Sequence, residues 1–359
     1  MAKKVMVAMS GGVDSSVAAA LLQEQGYEVY GATLKLFGNE DIGIEERTRT
    51  CCSLADVDDA MSVACKMGFA HYTFNFGRQF SKEVIQRFAD AYMNGETPNP
   101  CIDCNRYIKF KFLLQRAMFL QMDFIATGHY ARVEFDEKSG RWLLKKAKDS
   151  SKDQSYVLYA MTQEELSKTL FPLGNLLKSE VRLLAEERAL INAQKPDSQD
   201  ICFVKDGDYA GFLEKVMGIR SVPGDFINKN GKLLGRHKGI IHYTIGQRRG
   251  IDLSFYKPKY VIRIDKENNT IILGDEKELF IDSLIAKDVN FISLEKLRLP
   301  MKVTVKTRYK QTETPATLTP LQNGLVQMKF ERPQRAITPG QAVVFYDGDI
   351  VVGGGTILR

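Results

Sequence analysis

No apolar stretch of about 18 residues runs anywhere in the chain, and a helix needs roughly that length to cross a bilayer. A leader with an apolar core and a cleavage pattern is also lacking, so a soluble, cytoplasmic protein that touches no membrane is expected. Histidine is scarce, four in 359 residues, and none of the others stands at ligand spacing from His129, which argues against a histidine-built metal centre. The six cysteines follow no framework spacing, so a disulfide-stapled secreted scaffold is set aside. Internal repeats and low-complexity tracts are absent too. What remains is an ordinary globular composition, 44% hydrophobic and 26% charged, in a chain too long for one core; two or three domains are expected. A net charge of +6 tilts it towards polyanionic partners.

The first part of the chain alternates short apolar strands with amphipathic helices. Strands are expected at Val5–Met9, Val29–Leu36, Tyr72–Phe76 and Phe124–Thr127, with helices at Asp14–Gln25, Ala55–Met67, Phe80–Met93 and Ile108–Leu120. Such alternation implies an α/β domain with a parallel sheet, which binds ligands at the carboxyl ends of its strands. The polar segment Asn39–Thr50 reads as a loop over that edge. A hairpin follows between about Arg132 and Leu144, then a polar loop Lys145–Gln154 and a helix Lys178–Leu190. From about Asp206 the sequence turns mixed and turn-rich, and after about Lys257 helical patterns vanish in favour of short strands separated by Gly and Pro turns. The expected division is a catalytic unit over 1–205, a small central unit over 206–280 and an antiparallel β-barrel over 281–359.

The stretch Ser10-Gly11-Gly12-Val13-Asp14-Ser15-Ser16 lies between the first strand and the first helix. Two glycines let the backbone approach an anion, and the amides of the next helical turn point at it. The ending is not the Gly-Lys-Ser/Thr of a Walker loop, and the spacing is not Gly-x-Gly-x-x-Gly. A second polar cluster, Thr97-Pro98-Asn99-Pro100-Cys101-Ile102-Asp103-Cys104, is held out of helix by its prolines until Tyr107, placing Cys104 near a helix start. A thiol there, near Arg106 and Lys109, is favoured as thiolate and nucleophile. A lone Cys-x-x-Cys equally suits half a zinc site or a redox pair, although no second such pair completes four thiolates. Cys202 sits far along the chain between Ile201 and Phe203, where packing is the alternative role; Cys51, Cys52 and Cys65 read as packing or incidental thiols.

The glycine turn resembles the pyrophosphate loop of the ATP pyrophosphatase (PP-loop) superfamily. Taken together with Thr97–Pro100, Cys104-Asn105, Ala126-Thr127-Gly128-His129-Tyr130, Lys152-Asp153-Gln154-Ser155-Tyr156, Asp197–Phe203, Tyr243–Arg248, Lys306–Tyr309 and Pro339-Gly340-Gln341, it resembles the tRNA-specific 2-thiouridylase (MnmA, or TrmU) family across nearly the whole chain. That resemblance implies a PP-loop (adenine nucleotide alpha hydrolase-like) domain, a small central domain and a C-terminal β-barrel. It also implies replacement of O2 by sulfur at the wobble uridine of tRNAs for Lys, Glu and Gln.

By the same resemblance Ala8, Met9, Ser10, Gly11, Gly12, Val13, Asp14 and Ser15, with Leu34 and Gly128, are expected to bind ATP with Mg2+. Cys104 is the expected nucleophile and Cys202 the persulfide carrier, loaded by a cysteine desulfurase or sulfur-relay protein. Either Cys104 attacks the persulfide, leaving a Cys104–Cys202 disulfide bond, or it acts on the activated base. Asn99, Pro100, His129, Lys152, Asp153, Gln154, Arg308, Tyr309 and Gln341 are expected to meet tRNA. Many relatives carry Asp where this chain has Cys101, so a proton-transfer role drawn from that Asp has no carrier here. The three thiols Cys101, Cys104 and Cys202 also suggest an iron–sulfur cluster as a second reading. A monomer is expected. The rival functions are another PP-loop ligase, such as an amidating synthetase, and a tRNA-binding module without catalysis.

Overall fold

The computed structural model describes residues 2–38, 54–196, 201–204 and 207–358. The expected loop Asn39–Thr50, the thiols Cys51 and Cys52 and the segment Asp197 to Asp200 lie outside the described residues.

Five strands form a parallel sheet in the order β3-β2-β1-β4-β7: β1 (Lys4–Ala8), β2 (Glu28–Lys35), β3 (His71–Asn75), β4 (Phe124–Thr127) and β7 (Thr169–Leu170). The chain order reverses between β1 and β4, the switch point at which such sheets open a ligand crevice. Val5, Met6 and Val7 are wholly buried because helices cover both faces of β1. Helix α1 (Val13–Glu24) contributes Val17, Ala18 and Ala19 to one face, while Met6 faces the other, larger core.

The helix expected from Ile108 begins earlier. It runs unbroken over 100–119, opening on an α turn (Pro100–Asp103) and continuing through a π-wound stretch (Cys104–Leu113) before Leu114–Phe119. The Asn99 side chain accepts from the Cys101 amide at 3.1 Å and Pro100 occupies the first helical position, where a missing N–H costs nothing. The preceding helix, 77–93, has its own π-wound segment, Ser81–Gln86.

The central unit is a four-stranded sheet in the order β10-β11-β8-β9, from β8 (Gly224–Ile227), β9 (Leu233–His237), β10 (Tyr260–Asp265) and β11 (Thr270–Gly274). Its core gathers Phe226, Tyr243, Val261, Ile271 and Leu273. The last strands are β12 (Phe280–Phe291), β13 (Met301–Lys306), β14 (Thr314–Pro320), β15 (Val326–Arg335), β16 (Ala342–Asp347) and β17 (Ile350–Ile357). They run β12-β15-β14-β13-β16-β17 and close where β12 pairs antiparallel with β17, so the ring has no free edge. One addition comes from the catalytic unit. The hairpin β5 (Arg132–Asp136) and β6 (Arg141–Lys145) joins the barrel sheet where Lys145 pairs with Ile350.

Candidate active site

The turn after β1 sits at the switch point. Gly11 adopts φ +69°, a left-handed conformation that favours glycine, and a side chain there would strike the Asp56 carbonyl. Gly12 caps α1 without any side-chain hydrogen bond, so the first-turn amides keep no side-chain acceptor of their own. That is the arrangement a phosphate needs. Gly128, just beyond β4, closes on the same turn: a Cβ at that position would lie 2.7 Å from the Ser15 amide nitrogen. The buried Ser15 hydroxyl accepts from the Ser10 amide at 3.3 Å and donates to the Gly12 carbonyl, whereas Ser16 is fully buried and donates to the Gly12 carbonyl at 3.2 Å. Leu34 is buried near the carboxyl end of β2, and the Met9 and Val13 side chains point into the core, which leaves their backbone to the crevice.

Asp14 projects from the first turn of α1 into a cationic grip. The Lys178 ammonium lies 2.7 and 2.8 Å from its two carboxylate oxygens, and the Tyr130 hydroxyl donates to Oδ1 at 2.8 Å. Lys178 is itself buried and opens the helix Lys178–Glu187. A lysine in a first helical turn opposes the helix dipole, and that mismatch was the available signal of an anionic partner. Sequence reasoning also passed over the support beneath the turn. Asn192 donates to the Gly11 carbonyl at 3.0 Å and to Ser16 Oγ at 2.9 Å, and Lys195 bridges the Gly11 carbonyl (3.2 Å), Asp56 (2.5 Å) and Asp59 (2.8 Å). Lys195 thereby ties its own segment to the glycine turn.

Cys104 follows the first turn of the 100–119 helix and is half-buried; Cys101, within that turn, is exposed. Neighbouring Asp103 pairs with Arg87 at 3.6 Å, yet burial pushes its carboxyl up to about 6 against the pull of Arg87 and Arg106. Asn105 is buried, donates to the Val157 carbonyl at 3.1 Å and leaves its own side-chain oxygen without a hydrogen-bond partner. Half-buried Cys202 precedes the buried Phe203. That ring meets Phe80 and Phe88 of the 77–93 helix edge to face, at 5.7 and 5.4 Å between centroids. Both Cys104 and Cys202 border the one large core that those rings belong to. Among the described residues no three His, Cys, Asp or Glu side chains form a group able to hold a metal ion. Cys101, Cys104 and Cys202 are not such a group, so the iron–sulfur reading has no fitting site among the described residues.

The residues expected to meet tRNA surround this region, several with internal duties. Asp153 is buried and accepts from the Ala147 and Ser155 amides and the Ser155 hydroxyl, fixing its loop. Gln154 exchanges two 2.9 Å hydrogen bonds with the Tyr130 backbone, while Lys152 beside it is partly exposed. Tyr309, on the barrel, donates to the Asp153 carbonyl at 3.1 Å, and Arg308 donates to Ala336 and Thr338. Gln341 donates to the Thr97 carbonyl at 2.7 Å, Thr97 donates its amide to Pro339, and its hydroxyl meets Thr244 at 3.2 Å, so all three units meet just before Asn99 and Pro100. His129 is buried between Phe110 and Phe171 with Nδ1 2.7 Å from the Thr127 hydroxyl; burial, aided by Lys109, holds it well below the usual imidazole range, so the ring is neutral.

A glycine turn at the switch point of a parallel sheet, continued by a central sheet and a closed barrel, defines a PP-loop protein with two appended units. Family models match all three parts: a tRNA methyl transferase HUP domain over residues 3–206, a tRNA methyl transferase PRC-barrel domain over 210–275 and an aminomethyltransferase beta-barrel domain over 281–357. The chain is 54% identical over 355 residues to a tRNA-specific 2-thiouridylase MnmA of Acetivibrio thermocellus, covering 99% of each chain. It is 51% identical to the protein of that name from Clostridioides difficile, covering 100% of this chain and 99% of that one. Among solved structures, an NMN synthetase from Francisella tularensis aligns over 61% of this chain and 79% of its own, at 15% identity and a TM-score of 0.35. The chain belongs to the MnmA family of tRNA-specific 2-thiouridylases.

Proposed function

We propose that this protein is a tRNA-uridine 2-sulfurtransferase, an enzyme that uses ATP to convert the wobble uridine of tRNAs for Lys, Glu and Gln to 2-thiouridine. ATP lies along Ala8 to Ser15 with Leu34 and Gly128 at its edges, and the unclaimed amides of α1 receive the phosphates. Mg2+ bound with the nucleotide would supply charge neutralisation to the phosphates; Asp14, the carboxylate of the turn, has both oxygens held by Lys178 and would have to exchange that partner to hold the ion. The uridine O2 attacks the α-phosphorus, pyrophosphate departs and the base carries AMP on O2. Cys202 brings sulfur as a persulfide from a cysteine desulfurase or relay protein. The Cys104 thiolate attacks Cys202 Sγ, the persulfide S–S bond breaks and hydrosulfide is released beside the activated base. Hydrosulfide adds to C2, AMP leaves and a proton is lost, while Cys104 and Cys202 end as a disulfide. The catalytic unit is 1–205, the linking unit 206–280 and the barrel 281–359. Asn99, Pro100, His129, Lys152, Asp153, Gln154, Arg308, Tyr309 and Gln341 form or support the RNA-facing surface, the buried ones by holding loops in place.

The observation that carries this reading is that Cys104 and Cys202, far apart in sequence, both border the same core, which Phe203 joins at Phe80 and Phe88. Positioning is what the chemistry asks of the fold, since two thiols must meet over one carbon. The test is Cys202→Ser. With ATP, tRNA and a persulfide donor, mass spectrometry of the tRNA is expected to find no 2-thiouridine, while tRNA binding stays within about twofold of wild type. Undiminished thiolation by that variant overturns the assignment.

A further inference from the structure

Cys101 is the thiol the reaction above leaves without work. It stands in the first turn of the 100–119 helix, exposed, three residues before Cys104. Residues three apart on an α turn share a face, and their Cα atoms lie about 5 Å apart by helix geometry. A disulfide spans Cα separations of roughly 4.4 to 6.8 Å, so a Cys101–Cys104 bond asks for little backbone movement. The turn is well fixed, with Asn99 holding the Cys101 amide and Gln341 and Pro339 holding Thr97 just upstream. Cys101 also lies within electrostatic reach of Tyr309, whose phenol is raised by burial first and then by Asp153 and Cys101. The exposed thiol therefore lies beside Cys104 and borders the barrel, with solvent on its open side.

We infer that Cys101 is the resolving thiol that restores the enzyme after each sulfur transfer. The inference rests on the persulfide reading of Cys104 and Cys202. After transfer those two are joined as a disulfide, and half-buried Cys202 must be regenerated as a thiol before it can be loaded again. The Cys101 thiolate attacks Cys104 Sγ, the Cys104–Cys202 bond breaks and its electron pair leaves on Cys202, which takes up a proton. The oxidised pair is now Cys101–Cys104, at an exposed helix start. A cellular dithiol reduces it, supplying two electrons and becoming a disulfide itself. The disulfide is thus passed from half-buried Cys202 to exposed Cys101 by one exchange, and no external reductant has to reach Cys202.

The test uses the full-length enzyme with tRNA, ATP and a cysteine desulfurase with cysteine as persulfide source. After one turnover with dithiol withheld, thiols are alkylated and the disulfide is mapped by peptide mass spectrometry. Wild type is expected to yield Cys101–Cys104, and Cys101→Ser is expected to yield Cys104–Cys202. With a dithiol present, sustained turnover of Cys101→Ser is expected to fall by about tenfold or more relative to its own first turnover. A Cys104–Cys202 bond in wild type, or the same sustained-to-first-turnover ratio in both proteins, overturns the inference. So does loss of the first turnover in Cys101→Ser, which would place the thiol before sulfur transfer. Cys202→Ser is run alongside: if it still makes 2-thiouridine, the persulfide reading itself has failed, and that result is distinct from any given by Cys101.

Discussion

Lys178 and His129 show how much of this site depends on charge state. Lys178 spends a buried ammonium on Asp14, in the turn assigned to the nucleotide phosphates. Replacing it with Met leaves the carboxylate without its ion pair and removes positive charge from the crevice. A hydrogen bond to a charged group contributes about 1.5–3 kcal/mol, so Lys178→Met is expected to lower kcat/KM for ATP by about tenfold to a hundredfold in a thiolation assay. An unchanged value would show that the lysine serves Asp14 only as packing. His129 makes a prediction of a different kind. Its folded imidazole resists protonation, while in the unfolded chain it takes a proton near the ordinary value of 6.5. Stability is therefore complete above that value and is lost as the pH falls through and below it, by at most about 1.4 kcal/mol at pH 5.5 for one such group. His71 and His237 are lowered by burial as well, so the comparison must be between variants. In urea melts at pH 7.5 and 5.5, His129→Asn is expected to lose less stability on acidification than wild type does. Equal losses in the two proteins would refute the buried, neutral assignment.

At the scale of elements, the parallel sheet was legible because each strand is a short apolar run followed by a helical period, and both faces of β1 had to be apolar for helices to cover them. The glycine turn was equally legible, since two adjacent glycines before a helix leave little else to do. The start of the 100–119 helix was not. Prolines usually end helices, and only the Asn99 side chain on the Cys101 amide reveals that Pro100 opens one. Its π-wound stretch, Cys104–Leu113, has no sequence signature, because it changes which residues share a face without changing their helical preference. Strands β8, β9, β12 and β14 were missed as well. Glycine inside β8 and β9 (Gly224, Gly235) and proline inside β14 (Pro315, Pro320) read as strand breakers, and the adjacent charges Lys287 and Asp288 interrupt the alternation of β12. Within the site, the thiols and the turn could be read from residue type and motif, but Lys178, Asn192 and Lys195 could not, since they reach the turn from more than 160 residues away.

The molecule as a whole is tied together more tightly than a division into three units suggests. The largest core runs from Met6, Phe80, Phe88 and Ile108 in the catalytic unit through Phe212 and Ile241 to Ala342, Val344, Tyr346 and Val351 of the barrel. Polar ties cross the same boundary: Tyr156 donates to the Ala342 carbonyl at 2.8 Å, Asn290 to the Tyr159 carbonyl at 2.7 Å, and Arg132 pairs with Asp349 at 2.6 Å. Tyr156 and Tyr346 are both fully buried, so pulling the barrel away would expose two large side chains and leave their hydroxyls without protein partners. Separate domains usually meet through smaller, more polar surfaces and unfold one at a time. Here the catalytic unit and barrel are expected to unfold in a single calorimetric transition, with the central sheet, which keeps its own small core of Phe226, Val261 and Ile271, the one part able to melt apart from them. Scanning calorimetry checks this directly, and a Tyr156→Phe variant should shift that shared transition downward without splitting it. Two resolved transitions assigned to the catalytic unit and the barrel by limited proteolysis would show that the common core does not couple them, and that the barrel's hold on Thr97 is a contact between independent bodies.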